Sequence, residues 1–170
     1  GTPESAATTD APVDGSAAPY PLVVLSHGFT APVELYFPLA QAWASRGYVV
    51  ALPRFPLTGF GTPSPVAQDI QNQPADVSFV IDKVMAESAT SGSLLSHAVD
   101  GDKIAVSGNS GGGITTYGLV AHSCCRDRRI DAAIVLTGAT APFKGGEYDL
   151  SDTPPMLVLH GVNDVQMIYN

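Results

Sequence analysis

Five short apolar runs recur along the chain: residues 20–26 (YPLVVLS), 48–52 (YVVAL), 103–107 (KIAVS), 131–137 (DAAIVLT) and 155–160 (PMLVLH). They are solid rather than alternating, which predicts strands buried on both faces, as in a parallel sheet. The gaps after the first three carry helical periodicity. Residues 34–46 place Leu35, Leu39, Ala42 and Trp43 on one stripe before Gly47 stops it. Val77, Val80, Ile81 and Val84 form a second stripe, in a helix predicted to start at Pro74, and residues 111–122 form a third helix. Strands alternating with helices imply right-handed crossovers and helices on both faces of the sheet. Ligands of such sheets gather at the C-terminal ends of the strands. The loops 27–31, 108–112, 138–142 and 161–164 all follow those ends and converge there.

One of these loops carries chemistry. Gly108, Asn109, Ser110, Gly111 and Gly112 match G-x-S-x-G, at the junction between an apolar run and a helix-compatible one. With 17 glycines in the chain the pattern alone would recur by chance; its place between strand and helix gives it weight. Small neighbours let strand and helix approach closely while the serine is held in a strained turn. The same turn opens a helix, where backbone N–H groups lacking intrahelical partners can stabilise a developing negative charge.

Composition narrows the setting. A chain of 170 residues and 17.6 kDa has room for one domain with a real core. No apolar run approaches the roughly 20 residues of a membrane span. A formal charge of -8 argues against a nucleic-acid partner, and the one basic cluster, Arg126, Arg128 and Arg129, reads as a solvated helix end or loop. The two cysteines, Cys124 and Cys125, are neighbours, so a vicinal disulfide is the one intrachain bridge open to them. The four histidines and two cysteines show no metal-ligand spacing, and no cofactor or metal is expected. Residues 1–19 are polar and rich in Ala, Ser, Thr and Pro, a flexible N-terminal linker before a domain spanning 20–170. GNSGGG lacks the registers of nucleotide-binding loops, which sets that function aside.

HGF after the first run, GNSGG after the third and HGVND after the fifth resemble the α/β-hydrolase superfamily. PLVVLSHGF, NQPADVSFVIDKV and SCCRDRRIDAAIVLTG are similar to bacterial serine esterases of the dienelactone-hydrolase-like group, relatives of chlorophyllase-type and cutinase-like polyester hydrolases. The resemblance covers roughly residues 20–170. It implies an α/β-hydrolase fold whose N-terminal strands and last strand and helix have no counterpart in this chain. It implies Ser110 as nucleophile, Asp164 as the acid that orients the base, and the backbone N–H groups of Phe29 and Gly111 as the oxyanion hole. Dienelactone hydrolases proper use a cysteine in this slot, so Ser110 points to an ordinary or polymeric ester as substrate. Phe55, Phe60 and Phe143, in the loops 53–65 and 138–152, are the candidates for the walls of its pocket. The compartment stays open, with a secreted or cell-envelope setting slightly favoured.

The departure is the base. In this superfamily the catalytic histidine follows the acid, and no histidine follows His160 here. His122 lies twelve positions along the helix from Ser110, about 18 Å by helical rise, and His97 precedes the third run, at the opposite edge of the sheet. His27 and His160 read as hydrogen-bonded loop residues. The expectation is therefore a fragment of a longer serine hydrolase, with the histidine beyond this chain or on a second polypeptide. The alternative is a non-catalytic binding or structural domain of the same fold.

Overall fold

The computed structural model describes residues 7–167; positions 1–6 of the predicted linker and 168–170 of the predicted domain lie outside the described residues. Within them, β1 (Tyr20–Ser26), β2 (Val49–Ala51), β3 (Val99–Asn109), β4 (Ile130–Leu136) and β5 (Met156–Leu159) form one sheet in the order β2-β1-β3-β4-β5. Every pair is parallel. The five strands fall on the five apolar runs, as solid hydrophobic stretches demand when both faces are covered.

The order fixes where the helices go. The chain steps from β1 to β2 in one direction, then returns over β1 to β3 and continues to β4 and β5. With right-handed crossovers, α1 (Phe37–Ala44) takes one face, and α2 (Gln73–Ala89) and α3 (Gly111–Ala121) take the other, where they pack together. The main core lies on the α2–α3 face: Leu22, Val24, Ile104 and Val106 of the sheet meet Val77, Ile81, Leu119 and Val120 of the helices. The reversal of direction between β1 and β3 leaves a crevice at their C-terminal ends, the topological switch point at which open α/β sheets bind ligands.

Three elements differ from the expectation. The helix predicted over 34–46 divides into a 3-10 turn, Val33–Tyr36, and α1 proper, because Pro38 has no N–H to continue a ladder and sits in the first turn. The Pro74 helix begins one residue earlier, at Gln73, again with proline in its first turn. The third strand starts at Val99 rather than Lys103. Tyr20 and Pro21 pair with Val99 and Asp100, then the register jumps so that Leu22 pairs with Ile104, which bulges Gly101, Asp102 and Lys103 out to solvent. Before β1, Gly15–Ala17 form one 3-10 turn capped by the Asp14 carboxylate and tied to Tyr20 through its hydroxyl.

Candidate active site

Ser110 is the N-cap of α3, with φ 54° and ψ −114°, a conformation that a non-glycine residue holds only under strain. Its own N–H is spent on the Leu136 carbonyl at 3.0 Å, so the turn is clamped to the end of β4. The flanking glycines answer to close approach. A Cβ on Gly108 would stand 1.9 Å from the Gly112 carbonyl oxygen, and one on Gly112 would stand 2.2 Å from that of Ser26. β3, α3 and the end of β1 are therefore in backbone contact around the serine.

The loop after β1 lies against this turn. A Cβ built on Gly111 would stand 3.2 Å from the Phe29 nitrogen, so the two residues abut. Gly111 opens α3, where an N–H has no intrahelical acceptor, and the Phe29 N–H has none among the described residues. Everything around Phe29 is tied down. The Gly28 N–H donates to the Tyr36 hydroxyl at 2.9 Å, and that hydroxyl donates to Asn109 Oδ1 at 2.9 Å. Asn109 Nδ2 donates onward to the Leu136 carbonyl and to Thr137 Oγ1, both at 3.1 Å. Burial pushes the Tyr36 hydroxyl pKa up, which keeps it a neutral donor. Thr30 and Thr137 share the positive φ of Ser110, at 55° and 52°, so three strained residues cluster at the ends of β1, β3 and β4.

His27 belongs to this scaffold. Its ring is 2% exposed, Nδ1 donates to the Gly28 carbonyl at 2.7 Å, and Nε2 accepts from the Phe55 N–H at 3.2 Å. That pairing holds one neutral tautomer, and burial drives the pKa below 6.5. With both nitrogens committed to backbone, His27 positions the loop and has no lone pair to offer Ser110.

Asp164 follows β5 on the same edge of the sheet, two strands from the serine, roughly 10 Å at ordinary strand spacing. Its Oδ1 accepts from the N–H groups of Gln166 and Met167 at 2.9 Å each, and these bonds hold the carboxyl below its usual range. Its Oδ2 lies 4.0 Å from Nε2 of His160, whose ring also meets the Met167 carbonyl. Among the described residues no histidine ring hydrogen-bonds Ser110. His97 sits before β3, and His122 is buried at the far end of α3.

The three phenylalanines separate. Phe55 and Phe60 border one cleft of about 390 Å³ between the loops after β1 and β2, Phe55 as a 1% exposed core residue and Phe60 at 71% exposure. Phe143 instead packs on His122 and Tyr148 beyond Gly118, lining a different groove beside the cysteines. Cys124 and Cys125 are joined in a vicinal disulfide. A ring nitrogen of His122 and the two sulfurs lie within 4.8 Å of one another, a juxtaposition that sequence spacing hid; as a disulfide the sulfurs are not thiolate ligands. The arginines read as solvated are ion-paired, Arg126 and Arg128 with Asp152 and Arg129 with Asp127 and Asp82.

A parallel sheet in this order, with a serine at the sharp turn after its middle strand, defines an α/β-hydrolase, and similar solved structures include bacterial esterases. The chain belongs to the chlorophyllase family, whose model matches residues 8–168. The ferulic acid esterase from Streptomyces cinnamoneus is 28% identical, with a TM-score of 0.60 over 85% of this chain and 43% of that one. The chain thus spans less than half the length of that relative. Thermogutta terrifontis esterase 2 phosphoramylated by tabun gives a TM-score of 0.65 at 17% identity, over 99% of this chain and 75% of that one. The same esterase phosphorylated by paraoxon gives 0.59 at 17% identity, over 93% and 70%. At that identity the likeness is one of fold. No curated protein matches the sequence significantly.

Proposed function

We propose that this chain is the nucleophile-bearing part of a serine carboxylic-ester hydrolase that works through an acyl-enzyme on Ser110. The observation that carries the reading is the strained Ser110 at the switch point, beside two amides, of Phe29 and Gly111, that have no acceptor among the described residues. The Ser110 hydroxyl oxygen attacks the ester carbonyl carbon while an imidazole takes its proton. The carbonyl oxygen, now charged, is held by the Phe29 and Gly111 N–H groups. Collapse breaks the bond to the alcohol oxygen, which leaves with the proton from the imidazolium. A water deprotonated by the same imidazole then releases the acid and restores the serine. Asp164 orients the imidazole and stabilises its cation, a role suited to a carboxylate kept ionised by two backbone N–H groups.

The imidazole belongs to a histidine outside these residues, in sequence beyond Asn170 or on a second polypeptide. His27, His97 and His122 are committed or remote, and His160 stands with Asp164 rather than with Ser110. Phe55 and Phe60 wall the acyl pocket; Phe143, on its separate groove, is a wall only for a longer ester.

An organophosphate is the natural probe, as an esterase of the same fold carries tabun- and paraoxon-derived groups. In the polypeptide that includes the missing histidine, a fluorophosphonate is expected to label Ser110, and Ser110→Ala to abolish both label and ester turnover. A folded, complete protein that resists the probe would leave the non-catalytic domain as the correct reading. Residues 1–170 alone should label slowly and retain only residual turnover, on the order of 10³ to 10⁴ over water.

A further inference from the structure

Behind the two candidate oxyanion amides runs a buried chain of side chains that no role above absorbs. Gln73, the first residue of α2, is 3% exposed; its Nε2 donates to Thr58 Oγ1 at 2.8 Å, and its Oε1 accepts from Thr115 Oγ1 at 2.5 Å. Thr58 and Thr115 are 1% and 0% exposed. Each end of the chain reaches one side of the site. The Thr58 carbonyl accepts the N–H of Thr30, the residue after Phe29, at 2.7 Å. Thr115 Oγ1 lies 3.2 Å from the Gly111 carbonyl, a second acceptor for its single proton.

We propose that Gln73 is a positioning residue that sets the spacing between the Phe29 and Gly111 amides, through Thr58 on one side and Thr115 on the other. The inference rests on the esterase reading above and names what holds that site in register. Thr30 keeps its strained φ only while Thr58 holds it, and its amide plane sets the direction of the loop that presents Phe29. Thr115 sits one turn into α3 and braces the first peptide of the helix from within. Gln73 is suited to join them because its amide donates at one atom and accepts at the other, which matches an acceptor hydroxyl on Thr58 and a donor hydroxyl on Thr115. Satisfied at both ends in a dry interior, such a chain is stiff; broken at either, it leaves a buried polar group unpaired. The contribution belongs to the transition state, because an oxyanion forms only there and an error of an ångström in donor placement costs up to about 10²-fold.

The test uses the complete, active polypeptide and five variants: Gln73→Met, which keeps length and loses both bonds, Thr115→Val, the double variant Gln73→Met with Thr115→Val, Thr115→Ser and Ser110→Ala. For Gln73→Met and Thr115→Val, kcat is expected to fall about ten- to a hundred-fold at nearly unchanged KM, and affinity for a trifluoromethyl ketone, which binds as the tetrahedral oxyanion, to fall in parallel. Thr115→Ser restores both quantities. The double variant is no worse than either single one, as expected of two breaks in one chain. Rates are read well below each variant's Tm, so that loss of folded protein does not imitate the effect. Lowered Tm with unchanged kcat and ketone affinity overturns the inference and leaves a structural role for Gln73. Turnover that survives Ser110→Ala overturns the esterase reading itself, a distinct outcome.

Discussion

At Ser110 the usual relation between glycine and alanine is reversed. In an ordinary helix or strand, glycine destabilises because its unfolded chain has more freedom to lose. At φ 54° that cost is set against relief of strain worth about 1–3 kcal/mol. Ser110→Gly is therefore expected to be more stable than Ser110→Ala by about 1 kcal/mol, read from paired denaturant midpoints. Gly112→Ala should go the other way by more than about 3 kcal/mol, since its methyl would meet the Ser26 carbonyl and backbone cannot step aside. Asp127 gives a pH signature. The Arg129 guanidinium, with help from the Ser78 hydroxyl, holds its carboxyl at about 2, against 3.8 unperturbed. A depressed carboxylate contributes stability that is present above its unfolded value and is lost as pH falls toward its folded one. Screened by solvent around the half-exposed Arg129, the pair should make Asp127→Asn cost about 1 kcal/mol at neutral pH, and the gap to the parent should close between about pH 4 and pH 2 in acid-denaturation curves.

Among the elements, β5 stands apart. Met156 faces the α2–α3 core, whereas Leu157 and Leu159 point to the opposite face, each 52% exposed, beside Ile134 and Leu136 of β4. α1 covers only the far side of that face. Leu157→Ala should therefore cost under about 1 kcal/mol and Ile81→Ala, fully buried, about 3 kcal/mol, by denaturant titration. The inner strands β1, β3 and β4 were legible because a doubly covered strand must be apolar throughout, β5 because its run is apolar although one face is half exposed, and the serine turn because close backbone approach admits only glycine at Gly108 and Gly112. The bulge in β3 was hidden by its own polarity: Gly101 and Asp102 fall before the apolar run and Lys103 reads as its first residue, whereas all three are exposed and Val99 continues the sheet behind them. The Gln73 chain was invisible for another reason. Thr58, Gln73 and Thr115 come from a loop and two helices, and a buried polar group shows its purpose only once its partners meet in space. Tyr36 escaped notice likewise, as it lies in the predicted helix 34–46 beside the apolar stripe of Leu35, Leu39, Ala42 and Trp43, and its role shows only once its hydroxyl is seen bridging Gly28 and Asn109.

Over the whole chain the acidic residues outnumber the basic ones, 16 against 8, which gives it a net charge of -8 and a negative long-range field. If the proposed ester hydrolysis holds, kcat/KM toward an anionic ester is expected to rise as ionic strength goes from about 0.01 to 0.15 M and the screening length contracts from about 30 to 8 Å. A neutral ester of the same acyl chain should show a flat profile; equal slopes for the two would remove the field as a cause.

The strand order also divides the site in time. Among the described residues β1 and β3, which present Phe29 and Ser110, are hydrogen-bonded on both sides, whereas β5, which leads to Asp164, is bonded on one side and half bare. In amide exchange the Ser110 turn and the loop bearing Phe29 are expected in the slowest-opening unit and Asp164 in a faster one. Peptides over 156–167 of this chain should take up deuterium well before those over 99–110, so that on warming the carboxylate leaves first, while the serine turn is still folded.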